Sequence, residues 1–205
     1  MLFLTVSESM IEHCKKLVER FNFGNRYTGN GSKEQQLTGI IGQGAVMSLF
    51  DCGLVEANKN GFDGGVDFVY EGVRIDVKTV GRNTDINTKY DYANNFSKFQ
   101  DSYDNDAYIF CSLNKKKNRL VLCGWIDKPT FVLRRILYPK GSFRSRFDGS
   151  QFEVLYDNFE IMNSQLFSFV DLPDLKNQIK TYALKLKAEK GLNFNQIDGQ
   201  FYLPF

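Results

Sequence analysis

Val66-Asp67-Phe68-Val69-Tyr70-Glu71-Gly72-Val73-Arg74-Ile75-Asp76-Val77-Lys78 is the stretch on which the reading of this chain turns. Apolar and polar residues alternate on both sides of Glu71-Gly72, the pattern of two half-buried strands joined by a two-residue turn. With Glu71 and Gly72 as the loop, Tyr70 pairs with Val73, Phe68 with Ile75 and Asp67 with Asp76. Val66, Phe68, Tyr70, Val73, Ile75 and Val77 then share an apolar face. Asp67, Asp76 and Lys78 share the other, with Val69 and Arg74 further along.

Two carboxylates set directly opposite each other repel, the more so when buried. A sheet keeps such a pair when something positive lies between them. Lys78 is one candidate, and a divalent cation is the other, with hard oxygen donors suiting Mg²⁺ or Mn²⁺. An exposed edge hairpin with an ordinary salt bridge accounts for the same charges. On charge alone the two readings stand level.

Outward from the hairpin, the period of the pattern changes. Toward the N-terminus it is helical: Met10, Ile11, Cys14, Leu17, Val18 and Phe21 recur along a helix expected from Ser7-Glu8 to Phe23. Asn22 to Ser32, rich in Gly and Asn, reads as a loop, and a second helix is expected from Lys33 to Phe50. Its apolar residues go all round, which implies burial on most sides, and Gly39, Gly42 and Gly44 would admit a sheet or a ligand closely. Toward the C-terminus, strands are expected at 66–70, 73–80, 106–112, 119–126 and around 152–156, and a closing helix from Asp174 to Lys190. Helices followed by a sheet and mixed elements indicate an α/β or α+β sandwich within one domain spanning 1–205.

Composition narrows the function classes. The apolar content of 42% supports a full core, and no run approaches the ~18 consecutive apolar residues of a membrane span. The opening MLFLTVSESM carries no cleavage pattern, so a cytoplasmic protein is expected. The four cysteines, Cys14, Cys52, Cys111 and Cys123, are scattered without a CxxC pair and read as reduced core thiols. Net charge is +2, but between Lys115 and Arg146 ten bases face Asp127 as the sole acid, which suits a polyanionic partner or a solvated surface. Within that segment, Lys140-Gly141-Ser142-Phe143-Arg144-Ser145-Arg146 is the best candidate for gripping a nucleic-acid backbone, and Arg82 is a further phosphate candidate. The single histidine, His13, has no base partner nearby in sequence, and Trp125 reads as a core aromatic.

Asp67 followed by Asp76-Val77-Lys78 resembles the PD-(D/E)XK motif of the restriction-endonuclease-like nuclease superfamily. The helix Thr38-Gly39-Ile40-Ile41-Gly42-Gln43-Gly44-Ala45-Val46 resembles the GxxGE helix that precedes the motif in Holliday-junction-resolvase-like and Mrr-like members. The likeness covers about residues 33–126. It implies a mixed central sheet flanked by helices and a magnesium-dependent endonuclease that cuts DNA. In such an enzyme Asp67 and Asp76 hold Mg²⁺ (or Mn²⁺), Lys78 positions the attacking water and Gln43 completes the site. Many relatives act as dimers, which leaves a homodimer open.

Two positions depart from the pattern. Val66 stands for the proline of the motif name, and Gln43 stands for the helix glutamate, removing one negative charge. Glu34 lies nine residues from Gln43, about 180° round an ideal helix, so both cannot face one site without a break. The departure at Gln43 motivates the alternative, a catalytically inactive nuclease-fold protein that binds DNA. The aromatic end Phe201-Tyr202-Leu203-Pro204-Phe205 reads as docking on the domain or sealing a dimer contact.

Overall fold

The computed structural model describes residues 1–23, 31–57, 64–145 and 149–189. In chain order the elements are β1 (Leu2–Thr5), α1 (Glu8–Arg20), α2 (Lys33–Leu49), β2 (Phe68–Tyr70), β3 (Val73–Arg82) and β4 (Ala93–Ser97). A 3₁₀ turn (Lys98–Ser102), β5 (Ala107–Asn114), β6 (Arg119–Asp127), α3 (Lys128–Arg134), β7 (Ile136–Tyr138), β8 (Phe143–Ser145), β9 (Gln151–Glu153) and β10 (Asn158–Met162) follow. A second 3₁₀ turn (Asn163–Gln165) leads to the closing helix α4 (Leu172–Glu189).

The expected hairpin forms, with Phe68 opposite Ile75 and Tyr70 opposite Val73. Its turn places Glu71 at φ 53 and Gly72 at φ 83, both left-handed, as a tight two-residue connection between twisted strands requires. The hairpin belongs to a five-stranded mixed sheet in the order β1-β6-β5-β3-β2, in which only β3 and β5 run parallel. Every residue of β5 is buried, because both faces of the central strand are covered.

Two apolar clusters do the covering. On one face, Val73, Ile75, Val77, Ile109 and Leu122 pack with Ile11, Val18, Ile40, Val46, Leu175 and Ile179 from α1, α2 and α4. On the other, Tyr108, Phe110 and Val121 pack with Phe96, Phe131, Phe159 and Ile161, from α3 and a second sheet ordered β4-β10-β7. The architecture is therefore a mixed sheet with helices on one side and a small sheet plus one helix on the other. No helix among the described residues is long and apolar enough to cross a membrane.

Several expectations shift. The first helix stops at Arg20, because Phe21 adopts an extended conformation while its N–H caps Leu17 O at 2.9 Å. The opening apolar run forms β1 against β6. Of the strand expected around 152–156 only Phe152 and Glu153 lie in a strand, β9, while 154–157 are not in a strand and β10 begins at Asn158. The thiols are free and Cys14, Cys111 and Cys123 are buried; burial pushes the Cys14 and Cys123 pKa values up to about 11, keeping them protonated. The aromatic C-terminal segment lies outside the described residues.

Candidate functional site

β2 accompanies β3 only as far as Ile75, so from Asp76 onward that edge of β3 has no strand beside it among the described residues. A cleft of ≈ 330 Å³ opens there. α2 walls it on one side with Gln35, Gln36, Gly39, Ile40 and Gln43, spaced about one turn apart. β4 and the first 3₁₀ turn wall it on the other with Asn95, Phe96, Ser97 and Gln100, followed by Tyr103. Asp67, Asp76, Val77, Lys78 and Thr79 form its floor.

α2 can lie this close to β3 because of one glycine. A Cβ on Gly42 would stand 1.8 Å from Thr79 Oγ1, so any side chain there would lift the helix. Ser32 fixes the start of the helix: its Oγ accepts from Gln35 N at 3.2 Å, and its N–H donates to Gln35 Oε1 at 2.8 Å, a reciprocal cap. The helix is unbroken from Lys33 to Leu49, so Glu34 and Gln43 diverge as their spacing requires. Gln43 lines the cleft. Glu34 is exposed and pairs with Lys115 Nζ at 2.6 Å, which holds its carboxyl below the usual range.

The acidic floor departs from the expected register in one respect. Asp67 is not paired across from Asp76; the ladder ends at Phe68–Ile75, and Asp67 N donates to Ile75 O at 2.9 Å. This irregularity turns the Asp67 carboxylate inward, where Oδ2 accepts Val77 N–H at 2.6 Å in place of a strand carbonyl. Asp76 is only 3% exposed, and its Oδ2 lies 2.7 Å from Lys78 Nζ. Lys78 Nζ also stands 5.3 Å from the centre of the Phe96 ring. Gln43 from α2, Asp76 and Lys78 from β3, and Asp67 from just before β2 thus come to one cleft.

The donor chemistry suits a hard cation. Among the described residues no cluster of three or more His, Cys, Asp or Glu side chains assembles. Mg²⁺ needs no such cage: one or two carboxylates suffice, with waters and substrate oxygens filling the remaining positions. Asp67 and Asp76 are two carboxylates in one lining, with the amide of Gln43 in the same set of residues.

The basic candidates fare differently. Arg82 donates through Nε to Ser112 Oγ at 2.9 Å and lies 4.4 Å from the Tyr92 ring, and burial lowers its pKa. Arg144 pairs with Glu160 and stacks 4.0 Å from the Tyr138 ring centre. Both are engaged within the protein. Lys140 is exposed, held through its backbone N–H to Asp157 Oδ1 at 2.9 Å, and Arg146 lies outside the described residues. Lys115 and Lys117 face Glu34 and Asp85, so much of the basic excess in this segment is balanced by acids distant in sequence.

The wall from Asn95 to Tyr103 has no forerunner in the sequence pattern. Asn94-Asn95-Phe96-Ser97 lacks alternation, and it folds as a strand because Asn94 Nδ2 reaches Asn163 Oδ1 at 2.7 Å and β10 pairs along it. His13 Nε2 lies 2.8 Å from Val55 O, and Trp125 Nε1 donates to Gln178 Oε1 at 2.7 Å, so both serve packing. No family model matches this chain, and neither a curated protein nor a solved structure matches it.

Proposed function

We propose that the chain is a metal-dependent endonuclease that hydrolyses phosphodiester bonds in DNA, on a restriction-endonuclease-like core. The observation that carries this reading is the cleft at the unpaired edge of β3, lined together by Asp67, Asp76, Lys78 and Gln43. Bound Mg²⁺ or Mn²⁺ supplies a Lewis acid for the phosphodiester and a more acidic water.

The chain's own residues divide the remaining work. Asp67 is oriented by the Val77 N–H, and Asp76 by Lys78, so both carboxylates are fixed before a ligand arrives. Lys78, a cation within the cleft, steadies the attacking water and the charge developing on the phosphate. Gln43 holds a water through an amide that both donates and accepts. The cleft takes the scissile phosphate and its immediate neighbours, while the rest of the DNA lies across its mouth.

Cleavage of plasmid and oligonucleotide DNA with Mg²⁺ or Mn²⁺, compared with Asp76→Ala, tests the proposal; equal cleavage by both proteins sinks it. Gln43 favours a second reading, an inactive DNA-binding member of the same fold, because the neutral amide leaves the cleft one charge poorer than an acid there. That protein binds DNA with a steep salt dependence and cuts nothing, whichever metal is present. Gln43→Glu separates the two: in the inactive case it restores cutting, and in the active case it tightens Mn²⁺ about tenfold.

A further inference from the structure

We infer that Tyr103 is a positioning residue that holds Asp67 in place; its consequence for metal binding rests on the reading above, while the contact rests on geometry. Gly65 lies two residues before Asp67 with φ +83, and a Cβ there would stand 2.1 Å from Tyr103 Cδ2 and 2.4 Å from Cγ. The ring therefore lies on the Gly65 backbone at a separation that only glycine permits. Gly64, at φ +78, precedes it in the same left-handed turn. Two glycines in succession have little conformational preference of their own, so what packs on them decides where the following residue points.

Tyr103 is well anchored for that task. Its N–H donates to Gln100 O at 3.2 Å, and its carbonyl accepts from Lys128 Nζ on α3. Arg135, just past α3, grips Asp101 in the preceding 3₁₀ turn, with Nη2 3.0 Å from Oδ2. A rigid helix thus supports the turn, the turn supports the ring, and the ring rests on Gly65. The last link is the 2.6 Å bond from Val77 N–H to Asp67 Oδ2, which forms only when the glycine turn delivers Asp67 to the edge of β3.

That bond supplies a readout independent of any metal. Amide hydrogen exchange by NMR is measured on the wild type, Tyr103→Phe, Tyr103→Ala and, as a reference, Asp67→Ala. Tyr103→Ala is expected to accelerate exchange at Val77 at least about tenfold, as Asp67→Ala does, with the β3–β5 ladder amides unchanged. Tyr103→Phe, which keeps the ring, restores protection. Mn²⁺ affinity by calorimetry falls about 10–100-fold in Tyr103→Ala and recovers in Tyr103→Phe.

Unchanged Val77 protection in Tyr103→Ala overturns the inference. Should that variant speed every amide alike, Tyr103→Leu, which keeps apolar bulk without the flat ring, decides the matter by the same two outcomes. A wild type that binds no Mn²⁺, even with an oligonucleotide, removes the metal-site reading and leaves the exchange result to judge Tyr103 alone.

Discussion

Arg74 and Lys78 lie four residues apart on one face of β3, and each meets carboxylates in a different manner. Arg74 is enclosed: Asp106 Oδ2 accepts its backbone N–H at 2.9 Å and its Nε at 3.0 Å, Oδ1 accepts Nη2 at 2.8 Å, and Asp104 takes Nη1. These partners raise the Arg74 pKa further above its already high value. Lys78 meets Asp76 at 2.7 Å on the floor of the cleft, with the Phe96 ring 5.3 Å from its ammonium. The first arrangement uses its charges to close the start of the strand against β5. The second leaves two carboxylates and a lysine lining a cleft of ≈ 330 Å³. Saturation by protein partners sets the Arg74 network apart from the Lys78–Asp76 pair, which lines a cleft.

Mutation can test this contrast from either side. Asp76→Asn should have the greatest consequence, cutting metal-dependent cleavage by the folded protein by about 10³-fold; cleavage near the wild-type rate would erase the distinction. Asp106→Ala should do the reverse. It leaves Arg74 without its main partner and should cost about 3 kcal/mol in urea unfolding, with turnover of the folded fraction preserved. A loss below about 1 kcal/mol there would mean that solvent already screens the Arg74 network.

Two of the three glycines of α2 extend the contrast to the helix. Gly42→Ala drives a Cβ into Thr79 and should cost about 1–3 kcal/mol. Gly39 has nothing within 4 Å of a new Cβ, so Gly39→Ala should stabilise the helix by about 0.5–1 kcal/mol. Equal effects at both positions would show that helix propensity, not the close approach to β3, governs this element.

The mildest change concerns pH. Arg135 holds the Asp101 carboxyl below its usual range. A depressed folded pKa stabilises the fold above the unfolded value, and the contribution disappears as pH falls through the folded value. Asp101→Asn should therefore lower stability at neutral pH slightly and flatten the acid limb of a stability-against-pH profile. A profile parallel to the wild type would remove Asp101 from the support of the cleft wall.

The hairpin was legible because hydrophobic period two fixes both the register and the face of each residue, and Phe68–Ile75 and Tyr70–Val73 pair as that period requires. The divergence of Glu34 from Gln43 was legible too, since helical geometry alone separates them. The short strands β4, β7 and β8 were not. Three to five residues carry too little pattern, and these strands owe their conformation to partners such as β10, more than sixty residues from β4. The charge balance of the basic segment was not legible either, for a related reason. Charge in sequence is local, but Arg144 finds Glu160 and Lys115 finds Glu34 only in the folded chain.

Local choices were thus written into the chain itself: the two-faced hairpin, the all-round apolar α2, the neutral amide at Gln43 and the reduced thiols. Periodicity and residue chemistry dictate these without reference to distant segments. Three features of the site came from the assembled fold. β2 stops at Ile75 and bares the edge of β3, Asp67 turns to Val77 instead of facing Asp76, and the Asn95–Tyr103 wall closes the cleft. The first two turn on where the hairpin ladder breaks, which alternation alone does not mark. The wall depends on contacts between residues far apart in the chain, whose closure entropy is offset only when the whole core assembles.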